Sequence, residues 1–256
     1  MPAGEAGWSD AAGVAIDEHF HLYVADPHNQ VVRHFSAFGR HLGDYGSAPP
    51  AQGDRARDRR GVLDRPHAVA VAGDTVLVAG GDKPARAAVQ RFRRDGRALS
   101  PLACEGNAGW RFGAPRAVAA AGAEWWVADT QNGRVQRFRR DGTFVAAFAC
   151  AEPGALARPT ALARDAEGAV LVVDRGDRQG FRRFSVEGRP LPLPPELEAA
   201  CEQPLALAVD EQGRLHVLDQ GGERVQRFTA DFAFDDTLVD LVELLDDYQP
   251  SPGHHQ

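Results

Sequence analysis

Four aspartates close short apolar phrases of one kind: Asp26 ends HLYVAD, Asp129 ends EWWVAD, Asp174 ends AVLVVD and Asp219 ends RLHVLD. Carboxylates in such company invite an acid–base or cation-binding reading. Their repetition argues for a different role. An aspartate closing a strand before a turn accepts hydrogen bonds from backbone amides two residues on. Asp26, Asp129, Asp174 and Asp219 are therefore read as structural turn acids. Arginine offers the second chemistry. Arg91, Arg137, Arg183 and Arg227 hold one position relative to these phrases, with His34 in the remaining copy, and Lys83 is the sole lysine. A planar guanidinium fork grips carboxylate or phosphate at two points. Asp95, Asp141 and Glu187 lie close enough in sequence to pair with these arginines, so a salt-bridged surface competes with an anion-binding face.

Thiol and metal chemistry have less to work with. Cys104 and Cys150 each fall twelve residues beyond the Phe of their own repeat, which reads as a pair of equivalent buried small residues. With Cys201 the count is odd, and no histidine-partnered nucleophile motif accompanies any of the three. His19 and His21 flank a turn, and two histidines are too few for a structural zinc site. No catalytic residue, metal or cofactor is assigned.

The elements that position these residues recur with them. Asp129, Asp174 and Asp219 are spaced 45 and 45 residues apart, and TVLVAG, closing at Gly80, fills the same slot without its acid. A second phrase follows each: VVRHF, AVQRF, RVQRF, FRRF and RVQRF, ending at Phe35, Phe92, Phe138, Phe184 and Phe228. A third precedes each, for example RPHAVAV from Arg65 and QPLALAVD from Gln203. RALSPLAC and TFVAAFAC read as fourth strands after Phe92 and Phe138. Period-two phrases bounded by Gly, Asp and Asn are strands, and a four-stranded unit of ~40–50 residues repeated in series is a propeller blade. The inner phrases set small residues on one face and larger ones on the other, which suits a strand wedged between neighbouring blades. Of Trp125 and Trp126, facing opposite ways, one is expected in the core and the other at a rim or groove.

The fold class expected is all-β, a β-propeller of about five four-stranded blades over residues 1–234, with six blades as the alternative. A short C-terminal amphipathic helix is expected over 235–248, opened by Asp235-Asp236, and a disordered tail over 249–256. The Pro-, Gly- and charge-rich stretch 40–64 reads as an exposed loop, and ELEAAC, ending at Cys201, as one helical turn.

Pro-x-Ala-Val-Ala phrases, then Val-Ala-Asp, then Asn132-Gly-Arg134-Val-Gln-Arg-Phe138 and Asp141-Gly142 resemble the NHL-repeat β-propellers over about residues 11–234. The resemblance implies that the position after the inner-strand proline faces one mouth of an axial channel. Ala12, His67, Arg116, Thr160 and Leu205 occupy it. Among NHL-like propellers, peptidyl-hydroxyglycine lyases hold a metal on histidines there, and sugar lactonases use a Glu, Asn and Asp set. This ring has one histidine beside a cationic arginine.

The chain has 256 residues, 43% of them hydrophobic, and a formal net charge of −7. That balance excludes disorder and disfavours DNA as a partner. No apolar run is long enough to span a bilayer and no secretory leader is visible, so a cytoplasmic location without membrane association is expected. The expected function is a non-enzymatic platform recognising a protein or peptide at one mouth, with His67, Arg116, Thr160, Arg137 and Arg183 as the candidate binding set. The alternatives are a metal-dependent lyase or lactonase in the channel, and single-stranded RNA binding through the arginines.

Overall fold

The computed structural model of the protein describes residues 11–48, 60–82, 87–102, 112–148, 156–176, 180–221 and 223–240. It forms two compact units, Met1–Thr160 and Ala161–Gln256. The sequence phrases become strands, and the sheets run up and down in chain order.

In the first unit, the first sheet is β1 (Gly13–Ile16), β2 (Leu22–Asp26), β3 (Val31–Phe35) and β4 (His41–Tyr45). The second is β5 (Pro66–Ala72), β6 (Thr75–Gly80) and β7 (Ala88–Arg93). Residues 98–102 run beside β7 as a ragged edge: Ala98 bridges Phe92, and the amides of Leu99 and Leu102 donate to the Arg91 and Val89 carbonyls. The third sheet is β8 (Ala117–Ala121), β9 (Glu124–Asp129), β10 (Arg134–Arg139) and β11 (Phe144–Phe148). The second unit holds the sheet β12 (Pro159–Arg164), β13 (Val170–Asp174), β14 (Gly180–Phe184) and β15 (Pro190–Leu191), whose first strand begins just before the unit does. A helix, α1 (Pro195–Ala200), leads to β16 (Pro204–Val209), β17 (Leu215–Asp219), β18 (Arg224–Phe228) and β19 (Phe234–Asp240). Five consecutive antiparallel sheets make an all-β fold of the β-propeller class, with five blades among the described residues.

The core lies between successive sheets. Tyr23, Ala25, Val32 and Tyr45 of the first sheet cover Val69, Val76, Val78 and Phe92 of the second. Ala70, Leu77, Ala79 and Val89 of the second cover Val118, Trp125, Val127 and Phe138 of the third. In the second unit Ala161, Leu171, Val173 and Phe181 meet Leu215, Val217 and Phe228. Inner strands come close enough to need the smallest residue: a Cβ on Gly13 would lie 2.6 Å from the His67 carbonyl oxygen.

Three expectations are corrected. Trp126 is no rim residue: it is 1% exposed and Trp125 is 0%, because a blade inside the series buries both faces. The stretch 40–64 is not all loop. His41–Tyr45 form β4, Tyr45 is buried, and Ser47 bridges Val62, while 49–59 lie outside the described residues. The helix expected over 235–248 is a strand as far as Asp240, since β-branched Thr237 and Val239 pair with Gln226 and Val225. Asp235 and Asp236, read as a helix start, lie against Arg227 instead: Asp235 accepts from its Nε, and Asp236 Oδ2 stands 3.6 Å from its Nη2. Residues 241–248 and the tail 249–256 lie outside the described residues. No helix among the described residues is long and apolar enough to cross a membrane.

The turns repeat as faithfully as the strands, and their exceptions are informative. Asp17–His21, Asp165–Ala169 and Asp210–Arg214 share one hydrogen-bond pattern, with Gly168 (φ 87°) and Gly213 (φ 78°) in the left-handed position. The first copy puts Phe20 there at φ 60°, with 74% of it exposed. In the later turn of the fifth copy, Phe232 stands at φ 67° where Gly96, Gly142 and Gly188 stand in others. Phe232 is buried, and the Arg183 guanidinium lies 5.3 Å from its ring. Left-handed backbone costs a non-glycine residue about 1–2 kcal/mol. Packing offsets that at Phe232 and not at Phe20. Phe20→Gly should therefore stabilise the protein by about 1 kcal/mol. Phe232→Gly should destabilise it by about 2 kcal/mol, lost packing exceeding relieved strain. Urea unfolding midpoints check both, and equal signs for the two variants would refute the argument.

Candidate functional site

Each strand-closing acid is buried, and Asp129, Asp26 and Asp219 each face a set of donors. Asp129, 0% exposed, accepts from the Gly113 amide at 2.6 Å, Asn132 Nδ2 at 2.9 Å, Arg134 Nε at 2.8 Å and Gln136 Nε2 at 2.8 Å. Asp26 accepts from the amide and side chain of Asn29 and from Arg33 Nε at 2.9 Å. Asp219 accepts from the amides of Glu202 and Gln203, at 3.2 and 2.7 Å. Asp174 is likewise buried. The donors to Asp26, Asp129 and Asp219 are not amides two residues on. Asp129 and Asp219 tie the segment entering the first strand of a sheet to the end of its second strand. The Asn-x-Arg-x-Gln spacing after Asp129 exists to deliver three donors to one carboxylate.

The arginine position is committed to acceptors. Arg137 makes a forked pair with Glu124 at 2.9 and 3.0 Å, its side chain 15% exposed. Arg183, in the second unit and 9% exposed, binds Asp165 and Glu167. Arg91 donates to the Asp141 carbonyl and Arg227 to Asp235. Glu124, Asp165, Glu167 and Asp235 were not among the acids proposed by sequence proximity, because the strand register brings hairpin-end residues across the sheet; Asp141 was, and it takes Arg91 of another sheet through its backbone carbonyl. Burial alone would raise the Glu124 carboxyl, but the bonds from Arg137 and Trp126 more than offset it and hold it below its ordinary value.

Of the ring that follows the inner-strand proline, the structure brings His67 and Arg116 together, Arg116 Nη1 lying 3.0 Å from His67 Nε2. Thr160 Oγ1 is buried and has no partner among the described residues. Ala12 is exposed, and Leu205 is half-buried in the second unit. Between His67 and Arg116 sits a residue the sequence reading passed over, Asp82. It takes His67 Nε2 at 2.7 Å and Arg116 Nη2 at 2.9 Å on Oδ1, and Arg65 Nε at 2.9 Å on Oδ2. Gln131 Nε2 reaches the Asp82 backbone carbonyl at 3.3 Å. The signal was present: the second copy lacks its acid at Gly80, and Asp82 follows two residues on.

The charges of this cluster do not cancel. Burial, the largest influence, holds the His67 pKa below the ordinary histidine value, and Arg116 and Arg65 push the same way. Burial alone would raise the Asp82 carboxyl, but the His67 bond and the arginines hold it below the usual carboxylate range. Neutral His67, one carboxylate and two guanidinium groups leave one positive charge over. The arginines that carry it reach solvent, Arg65 60% and Arg116 39% exposed at the side chain. Arg65 stands at φ 45° before Pro66, and Ala114 at φ 55° before Pro115, so the kink belongs to the repeat and the guanidinium to this blade.

His21 Nδ1 lies 3.2 Å from His34 Nε2, and His34 stacks on Tyr23 at 4.4 Å. Among the described residues no group of three or more His, Cys, Asp and Glu side chains is placed to share a metal ion. Cys201 is buried, donates to Gln226 Oε1 at 3.4 Å, and has its thiol pushed up to about 12 by burial. Cys104 and Cys150 lie outside the described residues.

The arrangement of strands is shared with solved structures. Selenomethionine-substituted virginiamycin B lyase from Staphylococcus aureus superposes with a TM-score of 0.63 at 11% identity, over 90% of this chain and 70% of that one. A streptogramin B lyase gives 0.60 at 13%, over 88% and 67%. A nidogen/laminin complex gives 0.61 at 18%, over 89% and 79%. At these identities the likeness is one of fold, the β-propeller, hosting enzymes in two cases and a protein complex in the third. No protein-family model matches the chain, and neither does any curated protein.

Proposed function

We propose that this protein is a non-enzymatic recognition module of the NHL-like propeller kind. It binds a carboxylate-bearing protein or peptide segment at the strand ends where Arg65, His67 and Arg116 surround Asp82. The observation that carries the reading is the surplus charge: two half-exposed guanidinium groups share one internal carboxylate. A ligand carboxylate would take the second partner's place, in the planar fork that arginine favours. Asp82 then positions the arginines and competes with the ligand for them.

Titration calorimetry at low salt with a hexaglutamate peptide tests this. Arg116→Ala should weaken binding at least tenfold, about 1.4 kcal/mol. Asp82→Asn should tighten it severalfold, because an internal competitor is removed. Affinity should be flat above neutral pH, where His67 is uncharged. It should rise as pH falls through the lowered His67 pKa, because the imidazolium adds a second positive charge. No saturable binding, or Arg116→Ala equal to wild type, would overturn the reading. The lyase neighbours favour one rival, a metal-dependent lyase, and loss of virginiamycin B on incubation, abolished by chelation, would replace the binding reading with it.

A further inference from the structure

Four copies of the repeat place arginine at one position, and each gives it an acceptor: the Asp141 carbonyl for Arg91, Glu124 for Arg137, Asp165 and Glu167 for Arg183, and Asp235 for Arg227. The first copy has His34 there. Strand register identifies what faces it. Phe35 pairs with Leu22 as Phe138 pairs with Trp125, so His21 stands where Glu124 stands in the third sheet. The salt bridge of the third sheet thus becomes two imidazoles in the first. His21 Nδ1 lies 3.2 Å from His34 Nε2, and the ring centroids are 5.1 Å apart.

Two imidazole nitrogens on one tetrahedral zinc ion, each about 2.0–2.1 Å from it, are about 3.3 Å apart, and their ring centroids roughly 5 Å. The pair is therefore close to chelating geometry as folded, and its surroundings hold it there. His34 stacks on Tyr23 at 4.4 Å, and the Tyr23 hydroxyl donates to Asp17 Oδ2 at 3.1 Å. Asp17 Oδ1 accepts from the amides of His19 and His21, at 2.8 and 2.9 Å. The His21 side chain is 32% exposed, so an ion can reach it. The same turn carries His19, its side chain 64% exposed and its ring 6.2 Å from that of His21. That is about 1 Å beyond what a shared ion needs, within the reach of an exposed side chain. The local charge also suits a cation. Asp17 and Glu18 face one guanidinium, Arg94, at 3.6 and 2.7 Å, which leaves one negative charge over.

We infer that His21 and His34, with His19 turning in as third ligand, form a zinc-binding site at the Asp17–His21 end of the first sheet. Water takes the fourth position. In the metal-free pair one of the facing nitrogens carries the proton between them. On coordination that proton moves to the other nitrogen of its own ring, so both imidazoles bind uncharged. The site shares no residue with the Asp82 cluster, so the two inferences stand or fall independently.

Titration calorimetry of the full chain with zinc chloride, after treatment with a chelator, tests it. One zinc ion per chain should bind saturably. His34→Arg restores the arginine of the other four copies, and Asp17 stands where Asp165 receives Arg183. This variant should therefore keep the wild-type melting temperature without zinc, while losing zinc affinity at least tenfold. Zinc should raise the melting temperature of the wild type and leave that of His34→Arg unchanged. His19→Ala should weaken binding severalfold. The sequence ends on another histidine pair, His254-His255, and replacing both by alanine should leave this site's affinity as it was. No saturable binding at several hundred micromolar zinc overturns the proposal. So does His34→Arg or His19→Ala binding as the wild type does, or loss of the site with His254 and His255.

Discussion

Asp129→Ala should unfold the protein at a markedly lower urea concentration, with a loss of about 3–5 kcal/mol, the range for removing one partner of a buried ion pair. The substitution deletes four acceptor contacts at once, with the Gly113 amide, Asn132, Arg134 and Gln136. Arg134 is 9% exposed at the side chain, so water cannot take over the lost carboxylate without opening the site. Asp129→Asn should lose about half as much, since an amide keeps one oxygen but turns an NH2 toward donors. Asp219 provides the control. It binds two backbone amides, and its arginine, Arg224, stands off at 3.7 Å. Asp219→Ala should therefore cost clearly less, about 1–3 kcal/mol, as for buried donors left without an acceptor. If Asp129→Ala costs no more than Asp219→Ala, the three side-chain donors contribute nothing, and the Asn-x-Arg-x-Gln spacing has some other cause.

The repeat made the strands legible, because period-two phrases and Gly turns are local signals that recur in register. The acids were legible as a repeated position for the same reason. Their partners were not, because Gly113 approaches Asp129 only after the sheet has formed. Asp82 was missed because it lies outside every repeated phrase, and its importance arises from Arg65, His67 and Arg116 converging from different strands and loops. The arginine partners went astray through register, since Glu124 meets Arg137 across a hairpin rather than along the chain. The misread helix shows local pattern losing to context. Thr237-Leu-Val239 fits an amphipathic helix in isolation, but β18 offers an unpaired edge and Arg227 draws the acids to it.

Trp125 and Trp126 should separate area from hydrogen bonding. Both are essentially fully buried, at 0% and 1% exposed, so truncation of either to alanine should cost about 3–5 kcal/mol. Trp125 packs among Leu77, Val127 and Phe138, with the Arg140 guanidinium 4.0 Å from its ring. Its indole nitrogen has no partner among the described residues. Trp126 donates through its own indole nitrogen to Glu124 Oε2 at 3.1 Å, on the oxygen that Arg137 Nε also binds. Phenylalanine removes the same atoms at both places, so area alone predicts equal losses. Hydrogen-bond accounting predicts an order. Trp125→Phe deletes a buried donor that was never satisfied, which offsets part of the lost packing. Trp126→Phe deletes a bond to an ionised carboxylate, which is the stronger kind, about 1.5–3 kcal/mol. Trp126→Phe should therefore be the more destabilising of the pair by at least 1 kcal/mol in urea titrations. Equal losses would mean that Arg137 alone satisfies Glu124 and that the indole bond adds nothing to the third sheet.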